Sequence, residues 1–170
     1  MNRIHLLILI IGFVCFFADP SVAQSTNKTI VLVRHAEKDT SDQKNSDPDL
    51  SAEGRERAVR LATFVKRYKP HEIFATAYRR TQQTAGPIAA QRKKQIQTYD
   101  PSKHAELIAK IMASKTDHYL IVGHSNTIPP LANLLAKKEI FRNLVDAEHG
   151  VVWVIKIRKG VLRKVEIFTY

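Results

Sequence analysis

Two continuously apolar runs constrain the fold of this chain more than any other feature. Residues 29–33 (TIVLV) and 118–122 (HYLIV) are mostly aliphatic and lack the polar alternation of a half-exposed strand. That pattern is typical of central strands covered on both faces. Shorter strand candidates lie at residues 72–75 and 96–98. Helical segments separate these strands, so the sequence predicts a three-layer α/β/α sandwich with a mainly parallel central sheet.

The segments between and after these strands have clear boundary signals. Ser51 is a suitable N-cap for a helix that runs to about residue 68. Further helices are predicted at residues 79–91 and 102–113, and a fourth near Pro129 and Pro130, because proline is tolerated in a first turn. The C-terminal runs 151–157 and 161–168 alternate and flank Lys159-Gly160, which predicts an antiparallel hairpin at one edge of the sheet.

The first 23 residues have the layout of a secretory signal peptide. Arg3 precedes an apolar run at residues 6–17, and Ser21-Val22-Ala23 supplies the small residues of a cleavage site. The run is shorter than the roughly 20 residues that span a bilayer. We therefore predict a signal peptide at residues 1–23, a single domain at residues 24–170 and export to the periplasm or the exterior. No stable membrane insertion is expected after cleavage, and an uncleaved anchor is the main alternative.

The charge balance favours anionic partners without choosing among them. The chain has 27 lysines and arginines against 16 acidic residues, a formal net charge of +11. Such a surface suits phosphates, lipid head groups or nucleic acid, and it is equally compatible with simple solubility. Nucleic acid is not expected as a partner, because the sequence has neither aromatic residues interleaved with the basic ones nor a known binding motif.

Two histidines follow the two buried strands directly, His35 after the first and His124 after the second. Ligands of open α/β sheets bind beyond the carboxyl ends of the strands. If the two strands are neighbours, both imidazoles face one pocket, with Arg34 beside them. Arg79 and Arg80, after the strand at residues 72–75, bring more guanidinium groups to the same edge.

Such a pocket has the groups that phosphoryl transfer requires. Guanidinium groups match phosphate oxygens in pairs and stabilise the charge of the transferring group. A neutral imidazole is a competent nucleophile, and nearby arginines should keep it neutral by lowering its pKa. A metal between the two histidines is not expected, because the same arginines would repel a cation.

Four sequence motifs occur in a fixed order along the chain: Arg34-His35-Ala36-Glu37, residues 50–58 (LSAEGRERA), residues 80–85 (RTQQTA) and Gly123-His124-Ser125. They resemble those of the histidine phosphatase superfamily, also called phosphoglycerate mutase-like, and in particular its short branch that includes bacterial phosphohistidine phosphatases. The resemblance implies that His35 is the phosphorylated nucleophile and that Arg34, Arg80 and His124 bind phosphate. A donor from the backbone of Ser125 is also expected, and no metal or other cofactor is implied.

The sequence departs from the family pattern at the proton donor. No acidic residue has a clear counterpart of the family's donor: Asp100 is the best placed carboxyl, Glu37 is the other candidate, and the third reading is no dedicated acid. Ala36 replaces the usual glycine. Without a strong acid, substrates with good leaving groups are favoured, which makes phosphatase activity a better prediction than mutase activity.

The prediction is therefore a metal-independent phosphatase that acts through a phosphohistidine on His35. Its substrate would be a small phosphorylated compound or a sugar phosphate of the cell envelope. The alternative is a catalytically weak phosphate- or anion-binding module with the same fold. Specificity is expected in residues 39–49 and 99–104, which flank the pocket in the predicted fold.

Overall fold

A computed structural model describes residues 27–170, so the predicted signal peptide at residues 1–23 lies outside the described residues. No helix in the described range is both long and apolar enough to cross a membrane. The strands are β1 (Lys28–Arg34), β2 (Glu72–Ala75), β3 (Ile96–Thr98), β4 (His118–Gly123), β5 (Val151–Arg158) and β6 (Val161–Thr169), and the helices are α1 (Ala52–Val65), α2 (Arg79–Arg92), α3 (His104–Ala113) and α4 (Ile128–Ala136).

These six strands form one mixed sheet in the order β3-β2-β4-β1-β5-β6. Strand β4 pairs in parallel with both β1 and β2, and β2 pairs in parallel with β3. Strand β5 runs antiparallel to β1, and β6 returns antiparallel to β5. The mainly parallel sheet with a C-terminal antiparallel hairpin is therefore confirmed.

The sheet is covered on both faces, as the apolar runs predicted. Successive side chains of β1 point to opposite faces: Ile30 and Leu32 join a core with α3 and α4, whereas Val31 and Val33 join a core with α1 and α2. All four are fully buried. Burial on both faces explains why β1 and β4 carry no polar alternation.

Two helix boundaries differ from the prediction. Helix α1 ends at Val65 and continues as a 3₁₀ turn at Lys66–Tyr68. Helix α3 begins at His104 and not at Ser102, because the Asp100 carboxylate accepts hydrogen bonds from the Ser102 N–H at 2.9 Å and its hydroxyl at 2.7 Å. That local turn competes with helical backbone geometry.

The segment after β1 is held against the start of α1. The Ser51 N–H donates to the Glu37 carbonyl at 2.9 Å, and the Ser51 hydroxyl accepts from the Gly54 N–H at 3.0 Å as the N-cap of α1. Gly54 packs so closely that a Cβ there would overlap the Glu37 carbonyl group. This glycine therefore permits the close approach that fixes the backbone immediately after His35.

We predict that Gly54→Ala lowers the free energy of unfolding by about 1–3 kcal/mol, because the added methyl forces the backbone after β1 away from α1. The matched control is Gly86→Ala in α2, where a Cβ would meet no atom within 4 Å. That change should stabilise the protein by about 0.5–1 kcal/mol through helix propensity. Urea unfolding of the three proteins gives both values, and equal effects at the two positions would contradict the proposed close packing.

Candidate active site

The two predicted histidines meet at the carboxyl edge of the sheet. In the parallel pairing of β1 and β4, Arg34 lies opposite Gly123, and the His35 N–H donates to the Gly123 carbonyl at 2.9 Å. The imidazole of His35 and that of His124 lie with ring centroids 5.3 Å apart in an edge-to-face arrangement. The predicted convergence is therefore what the structure shows.

The hydrogen bonds of His35 fix which ring nitrogen is free. Its Nδ1 lies 2.7 Å from the carbonyl oxygen of Ala36, which can only accept, so Nδ1 carries the proton. The neutral ring then has its lone pair on Nε2. The Ala36 N–H in turn donates to the Thr84 hydroxyl at 3.0 Å, which anchors this backbone to α2.

His124 is oriented by two threonines. Its Nε2 lies 2.9 Å from the hydroxyl oxygen of Thr76, which is itself 2.9 Å from that of Thr81. The Thr81 hydroxyl donates to a main-chain carbonyl, that of Tyr78 at 2.7 Å or of Thr76 at 3.0 Å. All of these hydrogen bonds are satisfied when the Thr76 hydroxyl donates to Thr81 and the His124 Nε2–H donates to Thr76. Nδ1 of His124 is then the unprotonated nitrogen.

Arg34 and Arg80 approach the histidines from different elements. Arg34 ends β1 and is 5% exposed, and its Nη1 donates to the Val145 carbonyl at 2.7 Å. Its Nη2 lies 3.3 Å from the carboxylate of Asp146. Arg80, in the first turn of α2, has its guanidinium 4.3 Å from the ring centroid of Tyr78.

A cavity of about 380 Å³ contains the predicted phosphate-binding residues. Ser125 lies in its wall, while Arg79 is turned to the outside and pairs with Asp49 at 2.8 Å. Both segments predicted to set specificity lie near the cavity. Lys38, which lines it, directly precedes residues 39–49, and Pro101, which also lines it, belongs to residues 99–104. The lining residues are Arg34, His35, Lys38, Tyr78, Arg80, Pro101, His124, Ser125, Asn126, Thr127 and Asp146.

Burial and positive charge both keep the two imidazoles neutral. Desolvation is the largest cause that lowers the pKa of His35, to about 3, and His124 and the arginines add to it. Desolvation likewise lowers the pKa of His124 to about 4, with Arg80 and then Arg34 contributing repulsion. The prediction that arginines would lower these pKa values was correct in sign, but burial has the larger effect.

The structure does not bring either candidate acid into this cavity. Asp100 is exposed, bonds to Ser102 and lines a separate cavity, because the turn that starts α3 directs its carboxylate away. Glu37 binds Arg57 through an N–H···O contact of 2.6 Å, and this partner holds the pKa of its carboxyl below the usual range. The placement favours neither residue as the proton donor.

Several residues at the site had no signal in the sequence. Asp146 and His149 come from the irregular segment between α4 and β5, and the His149 Nδ1–H donates to the His35 carbonyl at 3.0 Å. The place of Thr76 at the site could have been predicted, because it directly follows β2 at the edge where His35 and His124 also lie. Within residues 27–170 no group of three or more His, Cys, Asp or Glu side chains could hold a metal ion.

One sequence family model matches part of the chain. A sequence model described as the histidine phosphatase superfamily (branch 1) matches residues 30–101, which include His35 and Arg80. No curated protein matches the chain by sequence.

Solved structures of phosphatases share the fold. They include a mycobacterial glucosyl-3-phosphoglycerate phosphatase with inorganic phosphate, at 15% identity and a TM-score of 0.64 over 84% of this chain and 96% of that chain. The protein histidine phosphatase SixA with tungstate has 12% identity and a TM-score of 0.66 over 83% and 96%. A mutant phosphoserine phosphatase from Entamoeba histolytica with phosphoserine has 14% identity and a TM-score of 0.64 over 81% and 96%. These likenesses show the fold, and together with the sequence model they confirm the predicted resemblance to the histidine phosphatase superfamily.

We predict that the buried histidines make the fold sensitive to acid. In the unfolded chain each has a pKa near 6.5, above its lowered value in the folded protein. Below that pH the unfolded chain binds more protons, so the free energy of unfolding falls as the pH decreases from about 6.5 toward 4. Urea unfolding at about pH 7 and pH 5, without phosphate, measures this loss. In His35→Asn or His124→Gln the loss should be smaller by up to about 2 kcal/mol, and an unchanged loss in both variants would contradict neutral burial.

Proposed function

We propose that this protein is a metal-independent phosphatase that transfers the phosphoryl group of its substrate to Nε2 of His35. The single observation that carries the proposal is the pair of imidazoles, 5.3 Å apart, in one cavity with Arg34 and Arg80. The resemblance to the histidine phosphatase superfamily and the phosphatase neighbours support it. A cavity with two fixed guanidinium groups favours an anion over a cation, which supports chemistry without a metal.

In the first step the phosphate dianion binds between Arg34 and Arg80, and the Nε2 lone pair of His35 attacks phosphorus. The N–P bond forms as the bond from phosphorus to the leaving oxygen breaks, and the leaving oxygen departs as an anion and takes a proton from solvent. Because Nδ1–H of His35 donates to the Ala36 carbonyl, that bond orients the ring and strengthens as the ring becomes positive. A bound phosphate also favours protonation of His124 on Nδ1, so that this ring can donate to a phosphoryl oxygen.

In the second step a water molecule attacks phosphorus and the N–P bond breaks. The products are inorganic phosphate and the neutral His35 imidazole, so the enzyme is unchanged. The arginines stabilise the transferring group in both steps, since its charge stays on the equatorial oxygens. The low pKa of His35 makes its ring a good leaving group in this step.

The substrate class is a small phosphorylated compound with a good leaving group. Asp100 lines a separate cavity, and Glu37, which is paired with Arg57, is absent from the lining of the cavity that both His35 and His124 share. The support for small phosphorylated substrates includes the neighbours, one a glucosyl-3-phosphoglycerate phosphatase and another a complex with phosphoserine. A sugar phosphate of the cell envelope is another small phosphorylated compound, and one with its phosphate on the anomeric carbon would have the better leaving group.

The same observation favours a second candidate, a phosphate-binding module with little turnover. A cavity without a proton donor can bind a phosphate and still turn it over very slowly. Turnover of para-nitrophenyl phosphate separates the candidates, because its leaving group needs no acid. A protein that binds phosphate but does not hydrolyse this ester would be the binding module.

We predict that His35→Ala lowers turnover of para-nitrophenyl phosphate at least about 10³-fold, because the nucleophile is lost. Assays in EDTA-containing buffer test the reaction without metal. Rapid quenching of the wild-type reaction with radiolabelled substrate should trap an acid-labile, alkali-stable label on the protein, and His35→Ala should trap none. Label on the variant would exclude His35 as the nucleophile.

The adjacent arginines provide a matched control. Arg80→Ala should lower kcat/KM about 10²-fold or more, since it removes a donor to the transferring group. Arg79→Ala removes only an exposed pair with Asp49 and should change kcat/KM less than about fivefold. Similar losses in both variants would indicate a general effect of charge.

We also propose that the protein is exported through the signal peptide of residues 1–23, which is supported by the sequence pattern alone. Mass spectrometry of protein recovered from a periplasmic or culture fraction should give the mass of a chain whose first residue is Gln24. An intact N-terminus in a membrane fraction would instead indicate the uncleaved anchor.

A further inference from the structure

A second cavity adjoins the first across His35. It has a volume of about 240 Å³ and shares Arg34, His35, Lys38 and Asp146 with the larger cavity. Glu37 and His149 line only the smaller one. A compound whose phosphoryl group lies on His35 could therefore place its next chemical group in this second cavity.

The charges around the second cavity leave one cation unpaired. Arg57 pairs with Glu37, and Arg34 lies 3.3 Å from Asp146. Over residues 27–170, no carboxylate lies within 4.0 Å of the Lys38 ammonium group, which is exposed at the mouth that both cavities share. The lining has two cations, Arg34 and Lys38, and two carboxylates, Glu37 and Asp146, and Arg57 behind Glu37 adds a third cation, so the local balance is positive by one charge. This balance favours a further anionic group.

The backbone of Lys38 is fixed, so its side chain starts from a defined point. The Glu37 carbonyl accepts from the Ser51 N–H at 2.9 Å, and the Asp39 N–H donates to the Asp49 carbonyl at 2.8 Å. Between these bonds Lys38 forms an antiparallel bridge with Leu50. Successive side chains of an extended segment point to opposite sides, which agrees with Glu37 reaching Arg57 while Lys38 borders the cavity mouth.

We propose that Lys38 is the cation of a second anion subsite, and that the enzyme prefers substrates with a phosphate or carboxylate close to the transferred phosphoryl group. The proposal rests on the proposed function for the first phosphoryl group, whereas the second group is assigned from Lys38 and the adjoining cavity. Lys38 touches the substrate's non-reacting group and acts on specificity.

Binding of inorganic pyrophosphate and orthophosphate tests the subsite, and it is measured in a His35→Ala background so that pyrophosphate is not hydrolysed. Isothermal titration calorimetry should show that the His35→Ala protein prefers pyrophosphate. Lys38→Met should reduce that preference about tenfold, the effect of one charge-assisted contact, whereas Lys38→Arg should keep it. The control is Lys94→Met, beyond the far end of α2 and about 20 Å from Arg80 by the helical rise, which should leave the preference unchanged.

Turnover of phosphoserine and phosphoethanolamine tests a carboxylate as the second group, because only phosphoserine has one. The ratio of their kcat/KM values should favour phosphoserine and fall about tenfold in Lys38→Met. A preference for pyrophosphate or phosphoserine that Lys38→Met removes supports the subsite and shows which anion it takes. No preference, or one that survives Lys38→Met, overturns it. Absence of turnover with these esters and also with para-nitrophenyl phosphate would overturn the proposed function, while the calorimetric result would still decide on the subsite.

Discussion

The parallel pairing of β1 with β4 is the constraint on which the site depends. The register places Arg34 opposite Gly123, so the residues that follow, His35 and His124, emerge side by side at one edge. A slip of one residue would turn His35 to the other face and expose Ile30 or Val31, which are fully buried. The apolar contacts of both faces therefore stabilise the same register that brings the imidazoles together, so the core and the site are specified by one set of interactions.

That geometry also determines the electrostatics. Placing two imidazoles in a largely buried site makes their protonation unfavourable, and Arg34 and Arg80 add repulsion between like charges. Each effect alone would favour a neutral ring. Together they keep the His35 ring neutral, and therefore nucleophilic, around neutral pH. The same burial lowers the stability of the fold in acid, because the unfolded chain binds protons that the two buried histidines do not.

The sequence indicated the framework of the site but not its irregular parts. His35, His124 and Arg80 could be predicted because each follows a strand or begins a helix, where periodicity and motif position agree. Asp146 and His149 could not, because the segment between α4 and β5 has no periodic pattern and reaches the site only through tertiary packing. Asp100 illustrates the opposite error: its chain position is close to the site, yet a local turn with Ser102 directs its carboxylate elsewhere.

The arginines are held in place by weak partners that an anion can replace. Asp146 is fully exposed and Asp47, which lies 3.5 Å from Arg80, is partly so. Because water screens these exposed carboxylates, such ion pairs contribute little, on the order of 1 kcal/mol, whereas a bound phosphate can accept paired hydrogen bonds from each guanidinium. By contrast, Arg34 also donates to the backbone carbonyl of Val145, which does not need to move when an anion displaces the Asp146 carboxylate. The site thus keeps its arginines oriented at little cost to the binding of an anion. At Lys38 the anion displaces no carboxylate, because this cation has no carboxylate partner.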